Sequence, residues 1–384
     1  MKRHAFVSAA IAAICMISGC GEDAAHSTTV DTGMLDSGNY PTSPRDVEAV
    51  RSPAAGAIRE SVRIGEHSPI PFEYDHRFAY GPDYPRFQII TPQEPPYIDE
   101  FGLERADFHT EFPGFVAGWH NFATRRPQMN MGRIIDTYTL RFETPEQARG
   151  VAEKMSRLSA GETRTVQNYP GSYTKLTVGE TSKLRTWLPH EDMVLYIRVT
   201  DHVSRPFVES DNLAIVERFF DTQIEGLRDY KRTPVGEVAT QAIDIDGLLS
   251  RTLPADKPLT RHTIYPAHVA LSLSRTPART ALAYTDAGVD LVVVADAFVY
   301  RTRDPEAAER LSSAFDDTAI SPNQTPKADP PPGLPSAVCF TGDPDMNISP
   351  NCRFTVGRYV VRVPGTNLQD AHQRAAAQYR LLAE

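Results

Sequence analysis

The sequence predicts an α+β protein made of two tandem domains that repeat one fold, each a mostly antiparallel sheet packed with helices. The first observation behind this is that the chain resembles itself at a fixed spacing. Residues 136–148 and 296–308 share Asp, Arg, Pro, Glu and Ala at an offset of 160. Each segment is typical of a strand, then a turn with a Thr or Asp N-cap, then a helix that begins with Pro and Glu.

The second observation is that the agreement continues downstream. Residues 195–199 and 359–363 match at an offset of 164, and both alternate as half-buried strands do. A helix is expected to begin near Asn212 and another near Asn367, with Gln and Leu recurring at the same spacing. Each half should therefore run strand, helix, several strands, helix. This predicts a first domain over 61–235 and a second, repeated domain over 236–384.

The N-terminus has the features of an export signal. Lys2 and Arg3 precede an apolar stretch, residues 5–18, that is shorter than the roughly 20 residues a membrane-spanning helix needs. Ile17-Ser-Gly-Cys20 resembles the lipobox of bacterial lipoproteins, in which an apolar residue and small residues precede a lipid-accepting Cys. The resemblance implies a signal peptide over 1–19 and a lipid on Cys20 that holds the protein at the outer face of the cytoplasmic membrane. An unlipidated signal peptide and a cytosolic N-terminus are the alternatives.

The segment after the lipobox is rich in small and polar residues, which predicts an extended tether over 20–60. Residues 35–45 within it are less uniform in composition than a linker. They are the part of the tether that could instead dock on the body as an extended strand.

Export determines how the four cysteines are interpreted. Cys15 leaves with the signal and Cys20 takes the lipid, so Cys339 and Cys352 remain. In an oxidising compartment this pair predicts one disulfide that closes a hairpin loop. A metal-binding or reactive thiol pair is the less favoured alternative, because no His or second Cys pair is close in sequence.

Charge excludes some partners. Removing residues 1–19 takes away two bases and no acid, so the formal net charge goes from −9 to −11. An acidic chain without a basic stripe is a poor match for nucleic acid, or for anionic headgroups bound through charge alone. No cofactor motif is present, and we expect none to bind.

Catalytic signatures are missing except for one partial match. There is no His-Glu-x-x-His, Gly-x-Ser-x-Gly or Gly-rich phosphate loop. Ser172-Tyr-Thr-Lys175 and residues 210–212 match two motifs of penicillin-recognising enzymes, but the third, Lys-Thr-Gly, is absent and Ser172 lies in a strand-like pattern. We therefore expect a non-enzymatic binding or scaffold module. An extracytoplasmic serine hydrolase that uses Ser172 and Lys175 is the alternative.

Asp343, Asp345 and Asn347 resemble the start of a calcium loop. The sixth position is Ile348 and the twelfth is Phe354, where such a loop needs Gly and Glu. The segment is therefore expected to be an acidic turn, and no metal site is predicted.

Five residues are candidate ligand contacts. Arg141 and Arg301 recur between the halves, as do Arg198 and Arg362. They predict either paired anion sites or ion pairs retained with the fold, and the second interpretation is favoured. Trp119, with nearby aromatic residues, predicts an apolar pocket or, more commonly, core. The expected partner is an envelope protein or a small apolar ligand, with the cleft between the two domains as a natural site.

Two further motifs resemble a known family. Leu35-Asp-Ser-Gly-Asn-Tyr-Pro-Thr42 and Phe112-Pro-Gly-Phe-Val-Ala-Gly-Trp119 are similar to motifs of a large family of actinobacterial cell-envelope lipoproteins. That family has two domains of similar build and no assigned activity. The resemblance covers most of the mature chain and implies no catalytic residues.

Overall fold

The computed structural model describes residues 29–81, 88–96, 105–128, 131–255, 260–317 and 325–383. The predicted signal peptide and the predicted lipidation site at Cys20 lie outside these residues. The described chain contains two seven-stranded sheets in which every pair of neighbouring strands is antiparallel. The predicted fold class is therefore confirmed.

The two sheets repeat one topology. The first sheet contains β1 (Ile89–Ile90), β2 (Phe115–Thr124), β3 (Arg133–Phe142), β4 (Glu162–Arg164), β5 (Tyr173–Thr177), β6 (Ser182–His190) and β7 (Met193–Asp201). The second contains β8 (Thr263–Pro266), β9 (Leu291–Val294), β10 (Phe298–Arg301), β11 (Lys327–Ala328), β12 (Val338–Phe340), β13 (Asn351–Val356) and β14 (Tyr359–Pro364). The strand order is β1-β2-β3-β7-β6-β5-β4 in the first sheet and β8-β9-β10-β14-β13-β12-β11 in the second. Strand by strand the two orders agree, which confirms the internal repeat.

The helices also recur in corresponding positions. They are α1 (Pro53–Glu66), α2 (Pro71–Tyr74), α3 (Phe108–Glu111), α4 (Pro145–Leu158), α5 (Glu209–Leu227), α6 (Ala267–Leu271), α7 (Pro277–Ala287), α8 (Pro305–Ala314) and α9 (Leu368–Ala383). In each repeat one helix follows the third strand (α4 and α8) and another follows the last (α5 and α9).

Local sequence explains where α4 and α8 begin. The Thr144 hydroxyl accepts a hydrogen bond from the Gln147 N–H at 3.2 Å, and the Gln147 Oε1 accepts one from the Thr144 N–H at 3.0 Å. The Asp304 carboxylate accepts from the Ala307 N–H at 2.7 Å. Pro follows the N-cap in both helices. At this position a backbone N–H would make no hydrogen bond within the helix, so proline costs none.

One part of the repeat is shifted. Arg141 lies opposite Met193 and Arg301 lies opposite Tyr359, so Tyr359 occupies the place of Met193. The two last strands therefore correspond at an offset of 166 rather than the 164 that the sequence match gives. A shift of two residues keeps each side chain on the same face, because the side-chain period of a strand is two. The sequence similarity consequently identified the right strands in a displaced register.

Each sheet is covered on both faces. In the first domain, α4 packs on one face through Val151 and Met155, and α5 packs on the other through Ile215 and Phe219. In the second domain, α9 covers the face that corresponds to the one under α5. Helices α7 and α8 lie over the opposite face, where they pack on the same apolar core that contains α1 and α5. This core joins the two domains.

Hydrogen bonds also cross between the domains. The Gly81 N–H donates to the carbonyl of Arg275 at 2.9 Å, and Gln88 Nε2 donates to the carbonyl of Ser272 at 3.2 Å. His268 of α6 lies 3.0 Å from the Glu73 carboxylate of α2. Helix α6 and the residues that follow it therefore provide these polar contacts with the first domain.

The predicted tether is corrected within the described residues. Residues 53–60 belong to α1, whose N-cap Ser52 accepts from the Ala55 N–H at 3.2 Å and which buries Val62 and Ile64 in the core. A helix forms here because an apolar face finds a partner in the sheet, which composition does not reveal.

The residues before α1 lie along the second domain. We call residues 30–47 the strap. Leu35 and Val47 are buried in the core under α9, with 6% and 5% of their surface exposed. The Tyr40 hydroxyl donates to Asp370 at 2.5 Å, and Arg380 donates to the carbonyl of Thr32 at 2.8 Å. Residues 35–45 therefore dock on the second domain, which was the alternative interpretation of this segment.

None of the helices in the described part of the chain is both long enough and apolar enough to span a membrane.

Candidate functional site

A pocket of about 470 Å³ lies beside the second sheet, on the face under α7 and α8. Strands β9, β10, β13 and β14 form its floor. The end of α6, helix α7 and the residue after α8 form one side, and residues 347–349 form another. Its lining residues are Ala270, Leu273, Ser274, Arg275, Thr280, Tyr284, Val292, Val294, Phe298, Tyr300, Phe315, Phe340, Asn347, Ile348, Ser349, Asn351, Arg353, Arg362 and Pro364.

The floor is aromatic because of the alternation along β10. Phe298 and Tyr300 face the pocket, whereas Val299 between them is buried in the core under α9. The Tyr300 ring lies 5.1 Å from that of Phe315 and 6.1 Å from that of Tyr284, centroid to centroid. These rings give the pocket a rigid apolar wall.

The pocket lining also contains positively charged side chains. Its described lining includes three arginines and no acid. Arg353 donates to Asp316 at 2.5 Å and to the Ser312 hydroxyl at 3.2 Å, so a carboxylate neutralises it. Arg362 is different: its Cζ lies 4.4 Å from the Phe298 ring centroid, and it has neither an ion pair nor a hydrogen bond within the described residues.

Two phenol hydroxyls share this environment. Tyr284 is only 7% exposed, and neither it nor Tyr300 makes a side-chain hydrogen bond within the described part of the chain. Burial raises the pKa of both phenols, and the nearby Arg362 charge opposes that rise. Both therefore stay protonated at neutral pH, so both can donate a hydrogen bond to a ligand.

The other recurring arginines are held inside the fold. Arg141 donates to Glu60 at 2.6 Å, to Asp192 at 3.1 Å and to the carbonyl of Thr233 at 2.7 Å. Every nitrogen of its guanidinium has a protein partner. The ion-pair interpretation fits this residue, and an external anion would have to displace a carboxylate.

Arg301 and Arg198 are paired in the same manner. Arg301 binds Asp290 at 2.6 and 2.8 Å and Asp246 at 2.8 Å. Arg198 donates to Asp136 at 2.8 Å, directly across the β3–β7 ladder. Of the four recurring arginines, Arg362 alone faces a pocket and has no carboxylate partner among the described residues.

Trp119 lies in the core. It is 1% exposed, its indole N–H donates to Asn121 at 3.1 Å, and its ring packs against Gly65 of α1. Its aromatic neighbours Phe115 and Phe122 are buried as well. Of the two interpretations of Trp119, core therefore fits and a pocket does not, because α1 covers the face on which such a pocket would open.

The structure does not bring Ser172 and Lys175 together. The Ser172 hydroxyl donates to the carbonyl of Tyr169 at 2.7 Å, and Lys175 Nζ donates to the Thr163 hydroxyl at 3.0 Å. Ser172 precedes β5 and Lys175 lies within it, rather than both lying on one helix. Asn212 donates to the carbonyl of Val208 at 2.9 Å, within the first turn of α5.

The predicted disulfide is present. Cys339 of β12 and Cys352 of β13 lie directly opposite each other in the ladder and are bonded. A ring nitrogen of His372 lies within 4.8 Å of both sulfurs, a proximity that the sequence does not reveal across 20 residues. Because both sulfurs are in the bridge, the group offers no thiolate to a metal ion.

The acidic turn is held by its own backbone. The Asp343 carboxylate accepts from the N–H groups of Asp345 at 3.0 Å and Met346 at 3.2 Å, and the Asp343 backbone bridges to Ile348. The turn thereby places residues 347–349 at the edge of the pocket.

Sequence reasoning missed most of the pocket. Arg362 was singled out, but Tyr284, Tyr300 and Phe315 were not. The aromatic residues alternating at 298 and 300 were the available signal, since they predict one aromatic face of a strand.

The fold and the site define a two-domain α+β protein with a ligand-sized pocket in its second domain. The chain belongs to the DUF7373 family, a domain of unknown function: the N-terminal family model matches residues 47–243 and the C-terminal model matches residues 248–384. No curated protein matches the sequence.

Among solved structures, part of the chain is similar to the extracellular domain of PknH from Mycobacterium tuberculosis. The identity is 13%, the TM-score is 0.25, and the match covers 33% of this chain and 74% of that one. A similarity of this strength assigns no activity.

Proposed function

We propose that this protein is a non-enzymatic binding module of the cell envelope that takes a small, largely apolar ligand into the pocket of its second domain. The pocket itself carries the proposal. Its volume of about 470 Å³ falls within the roughly 300–1,000 Å³ typical of ligand sites, and eleven of its nineteen lining residues are aromatic, aliphatic or proline, beside eight polar or charged ones.

The envelope location is proposed from the lipobox-like residues that end at Cys20, as in the actinobacterial lipoproteins that the sequence resembles. The Cys339–Cys352 bridge supports it, because disulfides persist in oxidising compartments. The strap supports a specific orientation. Ten residues lead from Cys20 to Val30, which is at most about 35 Å of extended chain. A lipid on Cys20 would therefore keep the second domain near the membrane.

The absence of enzymatic activity is part of the same proposal. Ser172 and Lys175, the candidates for a hydrolase, donate to other partners at 2.7 and 3.0 Å. A Ser nucleophile needs a base within hydrogen-bond reach, and this pair does not form one.

Lipidation is tested by expressing the full chain in a bacterium that processes lipoproteins and comparing wild type with Cys20→Ala. We expect wild type in the membrane fraction with a lipid mass on its N-terminal peptide, and Cys20→Ala in the soluble fraction. Cys15→Ala is the matched control and should fractionate like wild type. An N-terminal peptide of wild type without lipid refutes the anchor.

Ligand binding is tested with the uncharged apolar dye Nile red. Leu273→Trp places a larger side chain at the pocket wall, whereas Leu282→Trp makes the same change on the 73% exposed side of α7. We expect Leu273→Trp to reduce dye binding several-fold and Leu282→Trp to leave it unchanged, with the thermal midpoint of each variant as the folding check. Equal binding by both variants places the dye elsewhere and contradicts the proposal.

A further inference from the structure

We infer that the ligand of the second-domain pocket is an amphipathic anion, with its carboxylate or phosphate held by Arg362 and its apolar body against the aromatic floor. This inference rests on the proposed binding function and specifies the chemical class of the ligand.

The guanidinium of Arg362 is positioned to bind an anion. It lies over the Phe298 ring, with 4.4 Å between Cζ and the ring centroid. A cation–π contact occupies none of the guanidinium N–H donors, so they remain available to the oxygens of a carboxylate or phosphate. Since no described residue forms an ion pair with Arg362, an anionic ligand would not have to displace a protein carboxylate.

The first repeat provides an internal comparison. There Arg198 of β7 lies opposite Asp136 of β3 and binds it at 2.8 Å. In the second repeat the two-residue shift sets Arg362 opposite Phe298 instead. Asp296, which corresponds to Asp136, binds Arg374 of α9 at 2.9 Å. Asp136 neutralises Arg198 in the first repeat, whereas its counterpart Asp296 binds a different arginine and leaves Arg362 without a carboxylate partner among the described residues.

The buried phenols extend the polar end of the site. Tyr284 is more than nine-tenths buried and lines the pocket without a hydrogen-bond partner for its hydroxyl in the described chain. Tyr300 lines it as well, and its hydroxyl is equally unpartnered there. Neither hydroxyl oxygen is sealed off from the pocket, so two phenol donors beside one cation indicate where ligand oxygens would lie.

The rest of the lining fits an apolar body. Val292, Val294 and Phe315 line the floor together with Tyr300, and Phe340 and Ile348 lie toward the acidic turn. An uncharged hydrocarbon would fill this region and make no use of Arg362, whose exposed guanidinium would keep only water as a partner. A small inorganic anion would satisfy Arg362 and leave the aromatic wall in water. An amphipathic anion satisfies both.

The test uses the full chain with Cys20→Ala, which allows work without detergent, and four twelve-carbon ligands below their aggregation concentrations. These are dodecanoate, dodecyl phosphate, dodecanol and dodecyltrimethylammonium, with binding measured by titration calorimetry. We expect dodecanoate or dodecyl phosphate to bind at least about tenfold tighter than dodecanol, as a charge-assisted hydrogen bond predicts. The tighter of the two anions identifies the headgroup.

Arg362→Gln should weaken binding of the preferred anion about tenfold and leave dodecanol within twofold. Arg358→Gln is the matched control, because it removes the same charge from an exposed residue of the same hairpin that does not line the pocket, and it should change neither. Arg362→Lys keeps the charge and should retain part of the preference.

The outcomes distinguish a failure of the anion assignment from a failure of the proposed binding function. If dodecanol binds as tightly as both anions, or if the cation binds best, the anion assignment is overturned while the binding pocket stands. If an anion is preferred but Arg362→Gln and Arg358→Gln weaken it equally, Arg362 is not the anion site. If none of the four ligands binds, the inference and the proposed binding function both fail.

Discussion

Arg141 of β3 and Glu60 of α1 form a buried ion pair, with 2.6 Å between Nη1 and Oε1 and at most 4% of either side chain exposed. The pair joins the first sheet to a helix whose first eight residues fall in the segment predicted to be a tether. Burial opposes ionisation of Glu60, but hydrogen bonds from Tyr230 and Thr233 and the charges of Arg63 and Arg141 outweigh it and lower its pKa. The Glu60 carboxylate is therefore ionised and forms an ion pair with Arg141.

Glu60→Gln should reduce the free energy of unfolding by about 3 kcal/mol, because it leaves a buried arginine with one carboxylate fewer. Urea denaturation measures the loss. Glu66→Gln, an exposed position on the same helix, should change stability by less than about 0.5 kcal/mol. Equal effects of the two variants would mean that the pair is not the source of stability.

The strap should be part of the second domain rather than a free linker. Leu35→Ala removes a side chain that is 94% buried under α9 and should cost about 2–5 kcal/mol, which proteolysis would detect as faster cleavage of the second domain. Its neighbour Met34 is 58% exposed, so Met34→Ala should have little effect. Unchanged cleavage in Leu35→Ala would show that the strap does not support the core.

Gly65 permits the close contact between α1 and Trp119. A Cβ at this position would lie 2.5 Å from the indole, so Gly65→Ala should destabilise the protein by about 1–3 kcal/mol through overpacking. Gly150 in α4 has no atom within 4 Å of the place its Cβ would take. Gly150→Ala should therefore stabilise by about 0.5–1 kcal/mol, because Ala favours the helix. Thermal unfolding of both variants would test the opposite signs, and a stabilising Gly65→Ala would contradict the packing.

The disulfide should contribute to the stability of the second domain. The bridge joins residues 13 apart, and closing a loop of this length is worth about 3 kcal/mol in the chain-entropy model. Cys339→Ala/Cys352→Ala should lower the unfolding free energy by that amount, and a reductant should destabilise wild type but not the double variant. A reductant effect that persists in the double variant would have another origin.

Stability should fall in acid because of two buried aspartates. Burial opposes ionisation of Asp75, but hydrogen bonds from Arg77 and the charge of Arg125 lower its pKa to about 2. Burial likewise opposes ionisation of Asp201, but hydrogen bonds from Ser204, Val203 and Arg133 lower its pKa to about 2.

An unfolded Asp binds its proton near pH 4 and these folded ones only near pH 2. Their stabilisation, about 2 kcal/mol each, is complete above about pH 5 and is lost as the pH falls toward 2. Urea denaturation from pH 7 to pH 3 should show the loss, and Asp201→Asn should make it smaller. The exposed Asp229→Asn should leave the profile unchanged. A profile that is flat in wild type would rule out the effect.

The parts of the fold that sequence predicted are those with local signals. The α4 and α8 boundaries follow from Thr144 and Asp304 with the Pro after each, and the strands follow from period-two alternation. The duplication was detectable because both copies keep these signals. The cysteine pair was predictable because the assumed export leaves only two cysteines, and both lie on neighbouring strand-like segments.

What tertiary structure alone decided depends on residues far apart in the chain. The strap docks because Leu35 meets α9 more than 300 residues later, and composition gives no sign of that partner. The two-residue shift between the repeats is equally invisible in sequence, because either register keeps every side chain on its own face. Sequence determined the repeated fold and the cysteine pair, since local propensity and alternation specify elements. Only the packed structure decided that Arg362 lies over an aromatic floor without an acid, since cross-strand register and long-range ion pairs determine which charges are neutralised.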